Sequence, residues 1–158
     1  QRLSNVLMVV AGEGPALAHL RRQATKLGLE DNIRFLGYLS RDGELQACYA
    51  LGDVFVFASQ TETQGLVLLE AMAAGVPVVS TAFMGTRDIL REGRGALVAL
   101  DSAADFAAKV VRVLEDAELR RELGASARAW AGEWTAGRFA AELADLYREV
   151  IALRAERG

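Results

Sequence analysis

The run Val54-Phe-Val-Phe-Ala-Ser-Gln-Thr-Glu-Thr-Gln-Gly-Leu-Val-Leu-Leu-Glu-Ala-Met-Ala-Ala-Gly-Val-Pro-Val-Val79 decides how this chain folds. It opens with an apolar stretch, residues 54–58, of the kind that forms a strand buried on both faces. A polar loop, 59–65, leads into the apolar helix 66–74. Gly75 then ends that helix, and Val-Pro-Val-Val begins another strand almost at once. Strand, loop, helix and strand in this order make a crossover unit, which builds parallel sheets.

The same pattern continues in both directions. Residues 5–11 (Asn-Val-Leu-Met-Val-Val-Ala) are a short apolar run closed by Gly12-Glu-Gly-Pro15, and they read as a first strand buried on both faces. Pro15 suits the first turn of a helix, and Leu17, Leu20, Ala24 and Leu27 recur at helical spacing until Gly28. Residues 32–36 read as a strand, 42–51 as a helix and 95–100 as a last strand. After that the pattern is helical only: 103–115, 117–130 and 135–154, a tail expected to pack on the side of the sheet or on a neighbour. The expected fold is α/β, a Rossmann-like doubly wound parallel sheet with a C-terminal helical tail. One domain spans 1–158, with its strand and helix core over 5–115 and the tail over 116–155.

Composition narrows the function. The chain has 158 residues, 52% of them hydrophobic, enough for one real core. Its net charge of -3, with Lys and Arg scattered, leaves no basic stripe for nucleic acid or anionic lipid. The lone Cys48 cannot form an internal disulfide and reads as a small core residue. His19, the single histidine, falls on a surface helix with no Ser or Cys motif nearby, against triad chemistry and histidine-based zinc sites. No stretch is long and apolar enough to span a membrane, so the expectation is a soluble, cytoplasmic protein.

From Leu66 to Ala74 the only polar side chain is Glu70, and Glu62 stands eight positions before it. An unpaired buried carboxylate costs several kcal/mol, so such a residue usually faces a cleft or a partner. The loop 59–65 follows the carboxyl end of a strand and enters the amino end of a helix, where open α/β sheets bind ligands. The first amides of that helix, with Gly65 permitting close approach, suit a phosphate or sugar hydroxyls. Carboxylates accept hydrogen bonds from vicinal diols, so a ribose at one end and a hexose at the other match Glu70 and Glu62. The spacing equally suits a solvated loop carboxylate and a Glu70 that neutralises a buried arginine. Glycoside hydrolysis lacks any further support in the chain.

These residues resemble a family. Glu62-x7-Glu70 followed by Ala-Met-Ala-x-Gly-x-Pro-Val-Val is similar to the signature of the retaining glycosyltransferases of the GT-B fold, group 1, also called family 4. The likeness extends through Val9-Val-Ala-Gly-Glu-Gly-Pro15, Ile33-Arg-Phe-Leu-Gly37, Tyr49-Ala-Leu-Gly-Asp-Val-Phe-Val-Phe-Ala-Ser59 and Gly95-Ala-Leu-Val98. In that family these stretches form the C-terminal, donor-binding half of the fold. The resemblance implies a donor sugar on Glu62, Thr63, Gln64 and Gly65, phosphates on Gly65, Leu66, Gly12 and Gly14, and a ribose on Glu70. It also implies a base lying against Tyr38 and Leu39 in the loop 37–40. Gly12-x-Gly14 alone is a poor dinucleotide fingerprint, because Leu17 occupies the third glycine position.

The resemblance further implies a nucleoside diphosphate hexose as substrate, UDP-hexose being the commonest, with no metal and no cofactor. Its acceptor is a glycan or lipid bound by an N-terminal domain that this chain lacks. Membrane association, at the inner face, would come only through those other parts. Gln64 stands where the family commonly has an aromatic residue, a variant similar to some bacterial lipid-directed glucosyltransferases. The family's Gly-Arg strand and following Lys, whose cations face the diphosphate, would lie upstream of Gln1. This chain alone should therefore bind donor weakly and turn over little. If the family's strand order holds, a central strand is missing too, which would leave a gap or an exposed edge.

Other residues keep plainer roles. Arg87 and Asp88 read as capping and surface ion-pair residues, Asp53 as a partner of local backbone groups, and Trp130 and Trp134 as packing in the tail. Two competing functions remain: a non-catalytic nucleotide-binding or interaction module of the same fold, and a sugar-nucleotide epimerase, whose acids and bases are not identifiable here.

Overall fold

The computed structural model describes residues 3 and 5–155, so the domain limits expected at residues 1 and 158 lie outside the described residues. Among the described residues there are five strands and seven helices, alternating as far as the last strand, after which three helices follow in succession, and the paired strands are all parallel. The strands are divided between two sheets, and the chain divides into two compact units, residues 1–48 and 49–158.

The first unit holds β1 (Met8–Ala11), α1 (Leu17–Lys26), β2 (Ile33–Gly37) and most of α2 (Glu44–Ala50). β1 is shorter than the apolar run 5–11 because its approach is held outside the ladder: the Asn32 side-chain amide donates to the Val6 carbonyl at 2.8 Å. The expectation that this strand is buried on both faces is corrected. Leu7, Met8 and Val9 are exposed, since β1 has one hydrogen-bonded neighbour, β2, and Ala24 is the one buried residue of α1. An apolar run encodes the capacity to be covered on both faces, and two strands with two short helices do not supply that cover. Cys48 is half-buried, not the core residue expected, and His19 is exposed as anticipated.

The second unit carries the core. β3 (Phe55–Phe57), β4 (Val78–Thr81) and β5 (Ala96–Ala99) form a sheet in the order β3-β4-β5. Central β4 is buried throughout. Side chains alternate across a strand, so Val78 and Val79 face opposite layers. Val78 packs with Leu68, Ala71 and Met72 of α3 (Leu66–Ala73), Ile89 of α4 (Thr86–Ile89), and Ala127 and Trp130 of α6 (Ala117–Gly132). Val79 packs with Leu97, Val113 of α5 (Ala103–Glu115) and Leu123. Helices thus cover both faces, as a doubly wound sheet requires. Each large aliphatic side chain fully buried in this way contributes roughly 1.5–3 kcal/mol.

Local chemistry sets the boundaries. Gly75, at φ 79°, closes α3 through Gly75 N–H to Met72 O and Val76 N–H to Ala71 O. Arg128 of α6 donates to the Ala74 carbonyl at 3.0 Å, which satisfies another end of that helix. Ser102 and Asp116 cap α5 and α6 by accepting from Asp105 N–H and Leu119 N–H. Trp130 is buried, and its indole donates to Ile89 O at 2.8 Å. Asp53, expected to serve local backbone, instead pairs with Arg120 at 3.4 Å.

The last helix of the tail is α7 (Ala136–Ala155). It buries no residue, and Phe139, Leu143, Leu146, Tyr147 and Val150 stay exposed along one stripe. Its first turn is anchored by Phe139 against Trp134 and by Arg138 pairing with Glu133 and Glu142. Beyond that turn the helical period is satisfied without a covering surface among the described residues.

Candidate functional site

The loop 58–65 leaves the carboxyl end of β3 and delivers the chain to α3. Its shape comes from one side chain: Glu62 Oε1 accepts from Gln64 N–H and Gly65 N–H, each at 3.1 Å. These backbone donors hold the Glu62 carboxyl below its usual range, Gly65 being the larger cause and Gln64 the next. The ends of the loop are tied down as well. Thr61 N–H donates to Ser59 Oγ, and the Gln60 amide reaches Asp101 Oδ1 at 3.3 Å.

Gly65 is the N-cap of α3, at φ 69° and ψ 25°, the left-handed region. A β-carbon there would also stand 2.9 Å from Ile89 Cδ1. Both conditions select glycine. Among the described residues no side chain caps α3, and its opening amides at Leu66 and Val67 have neither an intrahelical acceptor nor a side-chain one. Leu66 itself is exposed beside them.

A second loop, 82–85, supports the first. Gly85 N–H donates to the Glu62 carbonyl at 3.1 Å, and a β-carbon on Gly85 would fall 1.9 Å from Thr63 O. Thr86, fully buried, fixes that loop: Phe83 N–H donates to its Oγ1 at 2.9 Å, and the hydroxyl donates to Phe83 O at 2.7 Å. Gly85 and Thr86 are supporting positions of this candidate site that the sequence reading did not single out. The available signal was the Gly-Thr pair at 85–86, immediately before Arg87 and Asp88. Those two do not cap: α4 has no side-chain cap, and Arg87 Nε donates to Ala82 O at 3.2 Å.

Glu70 lies one turn inside α3 and is half-buried. Its Oε2 accepts from the Tyr49 hydroxyl at 3.0 Å, so the lone carboxylate of the apolar helix has a polar neighbour that spacing did not indicate. The second unit therefore brings together Glu62, Thr63, Gln64, Gly65, Leu66 and Glu70 along one loop and helix. The first unit holds the remaining expected residues: Gly12 N–H donates to Gly37 O at 2.7 Å, placing the 12–14 turn beside the loop that bears Tyr38 and Leu39. Tyr38 is exposed and Leu39 half-buried.

Among the described residues no three of His, Cys, Asp and Glu cluster to hold a metal ion, and no helix is long and apolar enough to cross a membrane. A groove of about 550 Å³ is lined by Arg87, Arg91, Arg94, Trp130, Trp134 and Phe139 among others, and none of the expected donor residues lines it.

Parallel strands, helices on both faces and a ligand-competent loop at a strand's carboxyl end define a Rossmann-like α/β protein. The chain belongs to the glycosyl transferases group 1 family, whose model matches residues 1–130. It is 34% identical, over 98% of its length, to the GDP-mannose-dependent alpha-(1-6)-phosphatidylinositol monomannoside mannosyltransferase of Mycobacterium tuberculosis, covering 42% of that protein. It is 36% identical over 92% of its length to the D-inositol 3-phosphate glycosyltransferase of Streptomyces bingchenggensis, covering 33% of it. The chain thus spans less than half of these relatives. Among solved structures, Anabaena HepE in complex with UDP-glucose superposes with a TM-score of 0.74 at 26% identity, over 83% of this chain and 37% of that one. The sucrose-phosphate synthase of Thermosynechococcus elongatus gives 0.77 at 26%, over 92% and 38%. Both are likenesses of a GT-B glycosyltransferase fold.

Proposed function

We propose that this chain is the donor-binding half of a retaining glycosyltransferase that moves a hexose from a nucleoside diphosphate sugar to a glycan or lipid acceptor, without a metal. The observation that carries the reading is the opening of α3: a helix start that no side chain caps, entered through left-handed Gly65, with Glu62 before it and Glu70 one turn inside. Open amides suit the diphosphate, because they point donors at an anion and the helix dipole favours negative charge there. Glu70 accepts from ribose hydroxyls and Glu62 from hydroxyls of the hexose. Glu62 does this while its Oε1 is engaged with the loop, so the residue that shapes the loop also meets the sugar. The family membership and the likeness to a UDP-glucose complex support the same ligand class.

In the reaction the bond from the anomeric carbon to the diphosphate oxygen breaks, and the acceptor oxygen bonds to the same face. The departing diphosphate takes the acceptor's proton. Stabilising that leaving group is the dominant demand in such chemistry. The open amides of α3 contribute to it.

The test is calorimetric titration of the intact protein with a nucleoside diphosphate and with its hexose conjugate. Glu62→Gln keeps an oxygen for the loop amides and should weaken only the conjugate, whereas Glu70→Ala should weaken both ligands. Equal affinity of the unmodified protein for the two ligands would remove the sugar role of Glu62 and favour a nucleotide-binding module.

A further inference from the structure

The geometry points to Tyr49 as the positioning residue that sets the Glu70 carboxylate for its ligand, and so as a determinant of selection for a ribose over a deoxygenated sugar; this rests on the reading of Glu70 given above. Tyr49 lies in the last turn of α2 and is held at three points. Its ring meets Phe55 edge-on with centroids 5.5 Å apart, its carbonyl accepts from Gly52 N–H at 2.9 Å, and its hydroxyl donates to Glu70 Oε2 at 3.0 Å. Phe55 in turn stacks on Phe57 of β3, so the tyrosine is referenced to the sheet and not to a mobile loop.

A glutamate side chain has three rotatable bonds, and its carboxylate in an otherwise apolar helix has few polar groups on α3 to orient it. A neutral phenol suits that task. It fixes one carboxylate oxygen by a directional bond from its hydroxyl. Recognition of a vicinal diol depends on both carboxylate oxygens lying in the plane of the two hydroxyls. A carboxylate whose torsion is set in advance loses less freedom on binding. Selection against a ligand lacking those hydroxyls follows, because a site built to accept them leaves its acceptor unanswered without them.

The experiment compares a nucleoside diphosphate with its 2′,3′-dideoxy counterpart, using the intact protein, its Tyr49→Phe variant and a Phe55→Leu control. Phe at position 49 retains the ring contact and loses only the hydroxyl. The expected result is that the unmodified protein prefers the ribose ligand, and that Tyr49→Phe weakens the ribose ligand by about tenfold while leaving the dideoxy ligand unchanged. Phe55→Leu, which loosens the packing around the ring but keeps the hydroxyl, should lower thermal stability and reduce the preference by less than Tyr49→Phe does. A Tyr49→Phe protein that discriminates as well as the parent would overturn the positioning role and leave Glu70 as the ribose residue. An unmodified protein that fails to discriminate would overturn both.

Discussion

Replacing Gly85 with alanine tests how the two loops make the site. The new methyl would lie 1.9 Å from Thr63 O, 2.4 Å from Thr63 C and 3.0 Å from Gln64 N. All three are backbone atoms, so no side-chain rotation relieves the clash. Either the 82–85 loop or the 62–65 loop must move by more than about 1 Å to restore van der Waals separation. Overpacking of this kind costs about 1–3 kcal/mol, which for a domain of this size lowers the melting temperature by roughly 3–10 °C. The bond from Gly85 N–H to Glu62 O would break, and with it the placement of Glu62 and the opening of α3. Misplacing such groups by about 1 Å should weaken binding of the conjugate by roughly tenfold or more. Differential scanning fluorimetry with titration of a nucleoside diphosphate hexose measures both effects. Gly137→Ala, on an exposed helical position with nothing within 4 Å, serves as the control and should gain about 0.5–1 kcal/mol. A Gly85→Ala protein with unchanged melting temperature and unchanged affinity for the conjugate would refute the claim that the second loop props the first.

Three further outcomes are expected. Thr81→Val should raise stability by about 1 kcal/mol in thermal melts, because Thr81 Oγ1 is buried without a hydrogen-bond partner among the described residues and its removal relieves a desolvation penalty. Trp130→Phe should cost about 1–3 kcal/mol by leaving the buried Ile89 carbonyl unanswered, and a change below 0.5 kcal/mol, roughly the scatter of surface substitutions, would contradict that. The Glu62 loop should be pH-dependent in a defined direction. Its folded-state pKa is depressed from 4.5, so its contribution is present above that value and is lost as pH falls through the depressed one. The Gln64 and Gly65 amide resonances should therefore hold steady from neutral pH down to about 5 and titrate below the unfolded value, with no such titration in Glu62→Gln.

Much of the architecture was readable because it depends on local rules. The apolar runs at 54–58 and 76–79, the helix between them and its termination at Gly75 follow from hydrophobic periodicity and glycine's access to the left-handed region, and the observed strands lie within about two residues of those runs. The Glu62 and Glu70 pair was readable too, since a carboxylate in an apolar helix is an energetic anomaly at any depth. Cover was not readable. The run 5–11 has the composition of a doubly buried strand yet leaves Leu7, Met8 and Val9 exposed, and beyond its first turn α7 has a regular apolar stripe that stays exposed among the described residues. Composition states what a surface can bury, whereas burial depends on which other elements are present to meet it.

The sequence by itself determined the alternation of strands and helices, the family, and the loop and helix on which a ligand would sit. Each of these is carried by residues close together in the chain. Only the tertiary structure decided which distant groups hold the site in place: Tyr49 on Glu70 across 21 positions, Gly85 on Glu62 and Thr63, and Arg128 on the end of α3. The reason is physical. A hydrogen bond or a close backbone approach depends on ångström-scale geometry between elements, and that geometry is set by how whole layers pack, which no local pattern encodes.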